Sequence, residues 1–195
     1  MKKIKLTIVD PKQGFIDLLN QYFSDVPEVT AIKGDFHAHR ADALVSPANS
    51  FGIMDGGIDG LYTEMIGHKM QRDLQEKILK DFHGELPIGS SVDIKINNNQ
   101  FKWLISAPTM RTPQNIANTN FVYLAFRSML LTVIKNPEIE TVLTPGFGTG
   151  TGRMHIKVAA TQMKLAWIAA TRPAKILDFD SIAEIENRMY DPDAW

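Results

Sequence analysis

Asp42-Ala-Leu-Val-Ser-Pro-Ala-Asn49-Ser-Phe-Gly-Ile-Met-Asp55-Gly-Gly-Ile-Asp59-Gly60 is the stretch whose reading decides the fold. Ala43-Leu44-Val45 is a short apolar run, as expected of a buried strand. Pro47, Asn49, Ser50 and Gly52 then interrupt regular structure. Gly56-Gly57 stands just before a long helical pattern. A glycine turn from strand to helix lets backbone N–H groups approach a ligand, and a helix N-terminus favours an anion there. A second such turn, Pro145-Gly-Phe-Gly-Thr-Gly-Thr-Gly-Arg153, lies far along the chain, so the two loops are expected to share one phosphate-binding cleft.

Strands and helices alternate on both sides of this stretch. Ile4, Leu6 and Ile8 alternate with polar residues and predict a first strand. Asp10-Pro11 ends it, and Phe15, Leu18, Leu19 and Tyr22 predict a helix over 12–24. Val29 to Lys33 reads as a second strand, Gly34-Asp35-Phe36 as a turn, and 43–45 as a third strand. Leu61, Met65, Ile66, Met70, Leu74 and Ile78 predict one long helix over 58–82, with a bend at Gly67. Val92–Ile96 and Phe101–Ile105, joined by the turn Asn97–Gln100, predict a hairpin. The polar segment 106–119 is long enough for a functional loop. A buried helix over 121–134, a strand over 141–143 and a helix over 154–171 follow. Residues 175–177 and 182–189 read as a short strand and a short helix.

This pattern predicts an α/β fold with a mixed, mostly parallel sheet. In such sheets ligands bind beyond the carboxyl ends of the strands. Both glycine turns and the 106–119 loop follow strands, which places all three at one sheet edge.

The totals narrow the function classes. A chain of 195 residues with 44% hydrophobic content suits one domain with a real core. We expect a single domain over 1–195, in which 1–27 contribute an N-terminal strand and helix and 174–195 a packed C-terminal extension. Lys and Arg total 21 against 22 Asp and Glu, for a formal net charge of −1, which argues against general nucleic-acid binding. The absence of cysteine excludes disulfides and thiolate metal sites. No apolar run spans a membrane and the N-terminus lacks a signal-peptide pattern, so a cytoplasmic protein is the expectation.

Two common nucleotide motifs fail. From Gly146, both the P-loop and the G-x-G-x-x-G patterns require glycine where Thr151 stands, and no P-loop lysine follows. Glycine at 146, 148, 150 and 152 still offers close backbone N–H groups, and Thr149 and Thr151 add hydroxyls. That chemistry suits a diphosphate.

Taken together, Gly34-Asp35-Phe36, Ala43-Leu-Val-Ser-Pro-Ala-Asn49, Gly56-Gly-Ile-Asp-Gly60 and Pro145-Gly-Phe-Gly-Thr-Gly150 resemble a macro domain, the ADP-ribose-binding module, over about residues 28–172. The resemblance implies a three-layer α/β/α sandwich with ADP-ribose, free or on a modified macromolecule, at the strand ends. It implies no cofactor and no metal. It assigns Asp35 to the adenine amino group, Phe36 to a neighbouring backbone contact, and Asn49 to the distal ribose. Gly56, Gly57 and Ile58 on one side, and Gly146, Phe147, Gly148, Thr149, Gly150 and Thr151 on the other, enclose the diphosphate and ribose. Asp59 matches the acidic residue of hydrolytic relatives, with Asn49 as its companion and Asp55 beside the ribose or a catalytic water.

The departures bear on activity. Ser46 stands where hydrolytic relatives carry Asn, Met54 and Asp55 interrupt the glycine run, and Thr63 replaces a His common in such enzymes. Thr63 cannot act as a base near neutral pH. Binding is therefore better supported than hydrolysis of ADP-ribose from protein. A vestigial interaction module, or a phosphatase or deacetylase acting on free ADP-ribose derivatives, stands as the alternative.

Several residues also have plain readings. Asp35 is ordinary turn chemistry, and Asp59 suits the first turn of a helix. His37 and His39 lack further ligands nearby for a metal. Arg111 fits a solvated charge as well as a cleft residue.

Overall fold

The computed structural model describes residues 2–96, 98–191 and 193. Met1, Asn97 of the predicted hairpin turn, and Pro192, Ala194 and Trp195 of the predicted C-terminal extension lie outside the described residues.

Six strands form one sheet: β1 (Lys5–Asp10), β2 (Val29–Lys33), β3 (Ala41–Ser46), β4 (Val92–Lys95), β5 (Phe101–Ser106) and β6 (Thr141–Pro145). Their order is β2-β1-β6-β3-β5-β4. All neighbours run parallel except the β4–β5 hairpin. β3 lies near the centre, and Ala43, Leu44 and Val45 are fully buried, as a strand covered on both faces requires. Asp42 ties β3 to β6, with its Oδ2 accepting from the Thr141 amide and hydroxyl at 2.9 and 2.8 Å.

Helices cover both faces. α1 (Gln13–Tyr22), α4 (Phe121–Lys135) and α5 (Ile156–Thr171) pack on one side through Phe15, Leu19, Phe126, Met129 and Met163. α2 (Gly57–Ile66) and α3 (Lys69–Phe82) cover the other with Tyr62, Met70, Leu74 and Ile78. The result is the expected α/β/α sandwich. α6 (Phe179–Tyr190) rests on α5 and buries Met189. Among the described residues, no helix is long and apolar enough to cross a membrane.

Three expectations need correction. The helix predicted over 58–82 is two helices, because Gly67 adopts φ 106°, a backbone angle outside the helical range. The strand predicted over 175–177 is absent, and Ile176 is fully exposed there. The segment pairs with neither edge of the sheet, which ends at β2 and β4. The last helix begins at Phe179 rather than 182, because the Asp178 side chain accepts from the Ser181 amide at 2.9 Å and caps it.

Candidate functional site: a cleft at the carboxyl ends of the strands

The turns after β1, β3 and β6, together with the loop after β5, surround a cleft of about 420 Å³. That size falls within the usual range for small-molecule sites.

One wall follows β3. The loop after β5 runs beside it: the Ala107 amide donates to Ser46 O at 2.9 Å, Thr109 to Ala48 O at 3.1 Å, and Asn49 pairs with Met110 in an isolated bridge. Asn49 lines the cleft, and its side chain also folds its own loop. Its Oδ1 accepts from the Phe51 and Ile53 amides at 3.0 and 3.3 Å, and its Nδ2 donates to Ile53 O at 2.8 Å. This is the local side-chain-to-backbone bonding that favours Asn in turns. Asp55, Gly56, Gly57 and Ile58 continue the wall into the first turn of α2.

Asp59 sits at the base of this wall, 6% exposed. The buried Ser46 hydroxyl donates to its Oδ1 at 2.5 Å. Burial pushes the Asp59 carboxyl up to about 6; the Ser46 hydrogen bond opposes the shift, and the Asp55 charge adds to it. Tyr62, one turn further, donates to Val45 O at 3.1 Å, and burial holds its phenol well above the ordinary range. Thr63 is occupied elsewhere, donating to Met54 O at 2.7 Å.

The opposite wall follows β6. Gly146, Gly148, Thr149, Gly150 and Thr151 all line the cleft. Gly148 has φ 78°, and a Cβ there would collide with Val122. The turn is pinned by Met154 N to Gly148 O at 3.0 Å and by Ile116 N to Gly152 O at 2.9 Å.

Three residues assigned by resemblance do not line this cleft. Phe147 is fully buried and meets Phe126 edge-on at 5.2 Å between ring centroids. Phe36 is also buried, edge-on to Tyr62. Asp35 is exposed beyond the end of β2 and accepts from the His37 amide at 2.9 Å and the His37 ring Nδ1 at 2.7 Å. The His37 amide bond, then the ring bond, lowers the Asp35 carboxyl. Arg111 turns away into a bidentate pair with Glu85 at 2.7 and 2.9 Å, with its guanidinium over the Phe51 ring. Among the described residues, no group of three or more His, Asp and Glu is arranged to hold a metal ion.

The structure adds residues that the sequence reading left out. Asp10, Pro11 and Lys12, in the turn from β1 to α1, form a further side of the cleft, and the 106–119 loop, expected at this edge, contributes Thr109, Met110 and Pro113. The signal available was the rule that every turn following a parallel strand faces the ligand edge. Applied to Asp10-Pro11, it points there too.

The macro domain family model matches residues 45–163, which hold both glycine turns and Asp59. This chain belongs to the macro domain family. An uncharacterized protein of Aquifex aeolicus is 33% identical over 136 residues, covering 70% of this chain and 78% of that protein. A macro domain-containing protein of Listeria monocytogenes is 25% identical over 135 residues, covering 68% and 74%. Among solved structures, the macrodomain of Mycobacterium tuberculosis DarG superposes with a TM-score of 0.57 at 24% identity, over 69% of this chain and 86% of that one. An Oceanobacillus iheyensis macrodomain mutant with ADPR gives 0.58 at 17% identity, over 80% and 88%. These superpositions establish a shared macro domain fold.

Proposed function

We propose that this macro domain binds ADP-ribose or a close derivative in the cleft. The observation that carries the reading is the opposition of two backbone-lined glycine turns, Gly56-Gly57 and Gly146 to Thr151, across a space of about 420 Å³ with a buried carboxyl at its base. The diphosphate lies between the turns. The distal ribose lies by Asn49, Asp55 and Asp59. The adenine extends over the ends of β1 and β2, towards Asp35 and the Phe36 backbone. Phe147 supports the second turn from beneath. The N-terminal strand and helix and the C-terminal extension belong to the same domain in this reading. That a relative of the same fold is described with ADPR supports the choice of ligand.

The finer proposal is hydrolysis of ADP-ribose from a modified macromolecule. With its acidity near pH 6, Asp59 is mostly ionised at neutral pH and suits a general base. It takes a proton from water as the water oxygen bonds to the distal ribose C1″. The bond from C1″ to the attached side chain breaks with its electron pair going to the departing atom, which takes up the proton that Asp59 removed from water, passed on through solvent. Ser46 keeps the carboxylate oriented, and Asn49 orients the ribose. Thr63, already bonded to Met54 O, supplies no second base.

Titration calorimetry with ADP-ribose tests the binding reading. Micromolar affinity, about −8 kcal/mol, is expected. The absence of both binding heat and a thermal shift would sink it. For hydrolysis, Asp59→Ala should abolish release of ADP-ribose while ADP-ribose binding persists, and the wild-type rate should rise through a limb near pH 6. A wild type without turnover leaves a binding module.

A further inference from the structure

The turn between β1 and α1 lies outside the segment that the macro domain model matches, yet it forms one side of the cleft. Its contacts hold it against the second glycine turn. Asp10 is 6% exposed, and its Oδ1 accepts from the Lys12 amide at 2.9 Å. Its Oδ2 lies so close to Gly146 that a Cβ on that glycine would stand 2.8 Å from it. Lys12 Nζ reaches across and donates to the Thr149 carbonyl at 3.0 Å.

The charges around the cleft give this lysine a task. Asp10, Asp55 and Asp59 line it, and among the described lining residues Lys12 carries the one cationic side chain. A nucleotide diphosphate brings still more negative charge. Glycine-turn amides supply dipoles but no full positive charge. An ammonium has three donor hydrogens, and Thr149 O occupies one of them. The remaining donors suit phosphate oxygens, and charge-assisted bonds of this kind are the strong ones.

We infer that Lys12 is a ligand-reading residue: its ammonium bridges the Thr149 carbonyl and a phosphate oxygen of the bound nucleotide diphosphate. The β1–α1 turn is thereby part of the binding site, with Asp10 positioning Lys12 through its backbone. This rests on the ADP-ribose reading above. The competing role is a tether that merely steadies the glycine turn. A tether needs only a hydrogen-bond donor, whereas phosphate recognition needs the charge.

Calorimetry of the full chain with ADP-ribose, at low and high salt, separates the two. Lys12→Gln keeps a donor for Thr149 and removes the charge. It should weaken binding about tenfold at low salt and flatten the salt dependence, because the screened ion pair is gone. Lys12→Arg should stay within about threefold of wild type. Unchanged thermal melting of both variants excludes a folding effect. Lys12→Gln binding as tightly as wild type at low salt overturns the inference. So does weaker binding with the salt dependence intact, which is the mark of a tether. A wild type that does not bind ADP-ribose at all overturns the functional reading, and this inference with it.

Discussion

The two glycine-bearing walls of the cleft are built differently. On the β3 wall, side chains do the shaping: Asn49 folds its own loop and Ser46 holds the carboxyl of Asp59. On the β6 wall, the absence of side chains does it. Gly148 and Gly152 leave room for Val122 and Ile116 to pack beneath the turn, and the cleft surface there is largely backbone. The first wall carries ionisable chemistry and the second carries shape. Substitutions on the two walls should therefore fail in different ways.

The largest effect is expected on the β6 wall. Gly148→Ala places a Cβ against Val122 and within 3.5 Å of Ile116, at a φ of 78° that side chains rarely adopt. Strain and overpacking together should lower stability by about 2–5 kcal/mol. Urea denaturation measures this directly. A variant as stable as wild type would mean that the turn relaxes freely and that glycine is not what shapes this wall.

The next effect belongs to the β3 wall and depends on pH. The Asp59 carboxyl is raised from 3.8 to about 6 in the folded state. Between those values the folded protein keeps a proton that the unfolded chain releases. Its contribution to stability is therefore present at about pH 4 and is lost as pH rises through about 6. The loss should total about 2–3 kcal/mol, since each unit corresponds to about 1.4 kcal/mol. Asp59→Asn escapes it while keeping an acceptor for Ser46. The variant should gain about 2 kcal/mol over wild type at pH 8, with the gain fading towards pH 4. Comparing the two proteins cancels Asp25, Asp35, Asp42, Glu85 and Asp178, whose lowered pKa values act in the opposite sense, and Asp10, which is raised in both. A difference that stays flat across this range would show that Asp59 is not held in a desolvated site.

This contrast also explains what could be read without coordinates. β2 emerges at its predicted bounds because the alternation from Val29 to Lys33 is local. The break at Gly67 depends on one φ angle, and helical periodicity runs through it undisturbed. Residues 175–177 have the composition of a strand, but a strand needs a neighbour, and sheet order is a tertiary property. Asp10-Pro11 follows a strand and so points to the ligand edge, but the meeting of Lys12 with the β6 turn depends on β1 lying beside β6, which is again a matter of sheet order. Phe36 and Phe147 were ambiguous for a related reason. An aromatic in a glycine-bearing turn serves a ligand or the core equally well, and here the core partners are Tyr62 for Phe36 and Phe126 for Phe147.

The smallest effect on stability should be the most informative about the ligand. Gly56 and Gly150 face each other's walls, and a Cβ at either meets nothing within 4 Å. Gly56 is extended, with φ −151°, a conformation open to any residue. Neither glycine is required by packing, so alanine at either should change stability by less than about 0.5 kcal/mol. If both turns approach a diphosphate through their backbones, each methyl intrudes where the ligand passes. Affinity for ADP-ribose should then fall for Gly56→Ala and Gly150→Ala alike, despite unaltered melting. Affinity lost on one side alone would place the diphosphate against that turn and leave the other free. Affinity kept on both would mean that the ligand does not run between the turns, and the cleft would need another occupant.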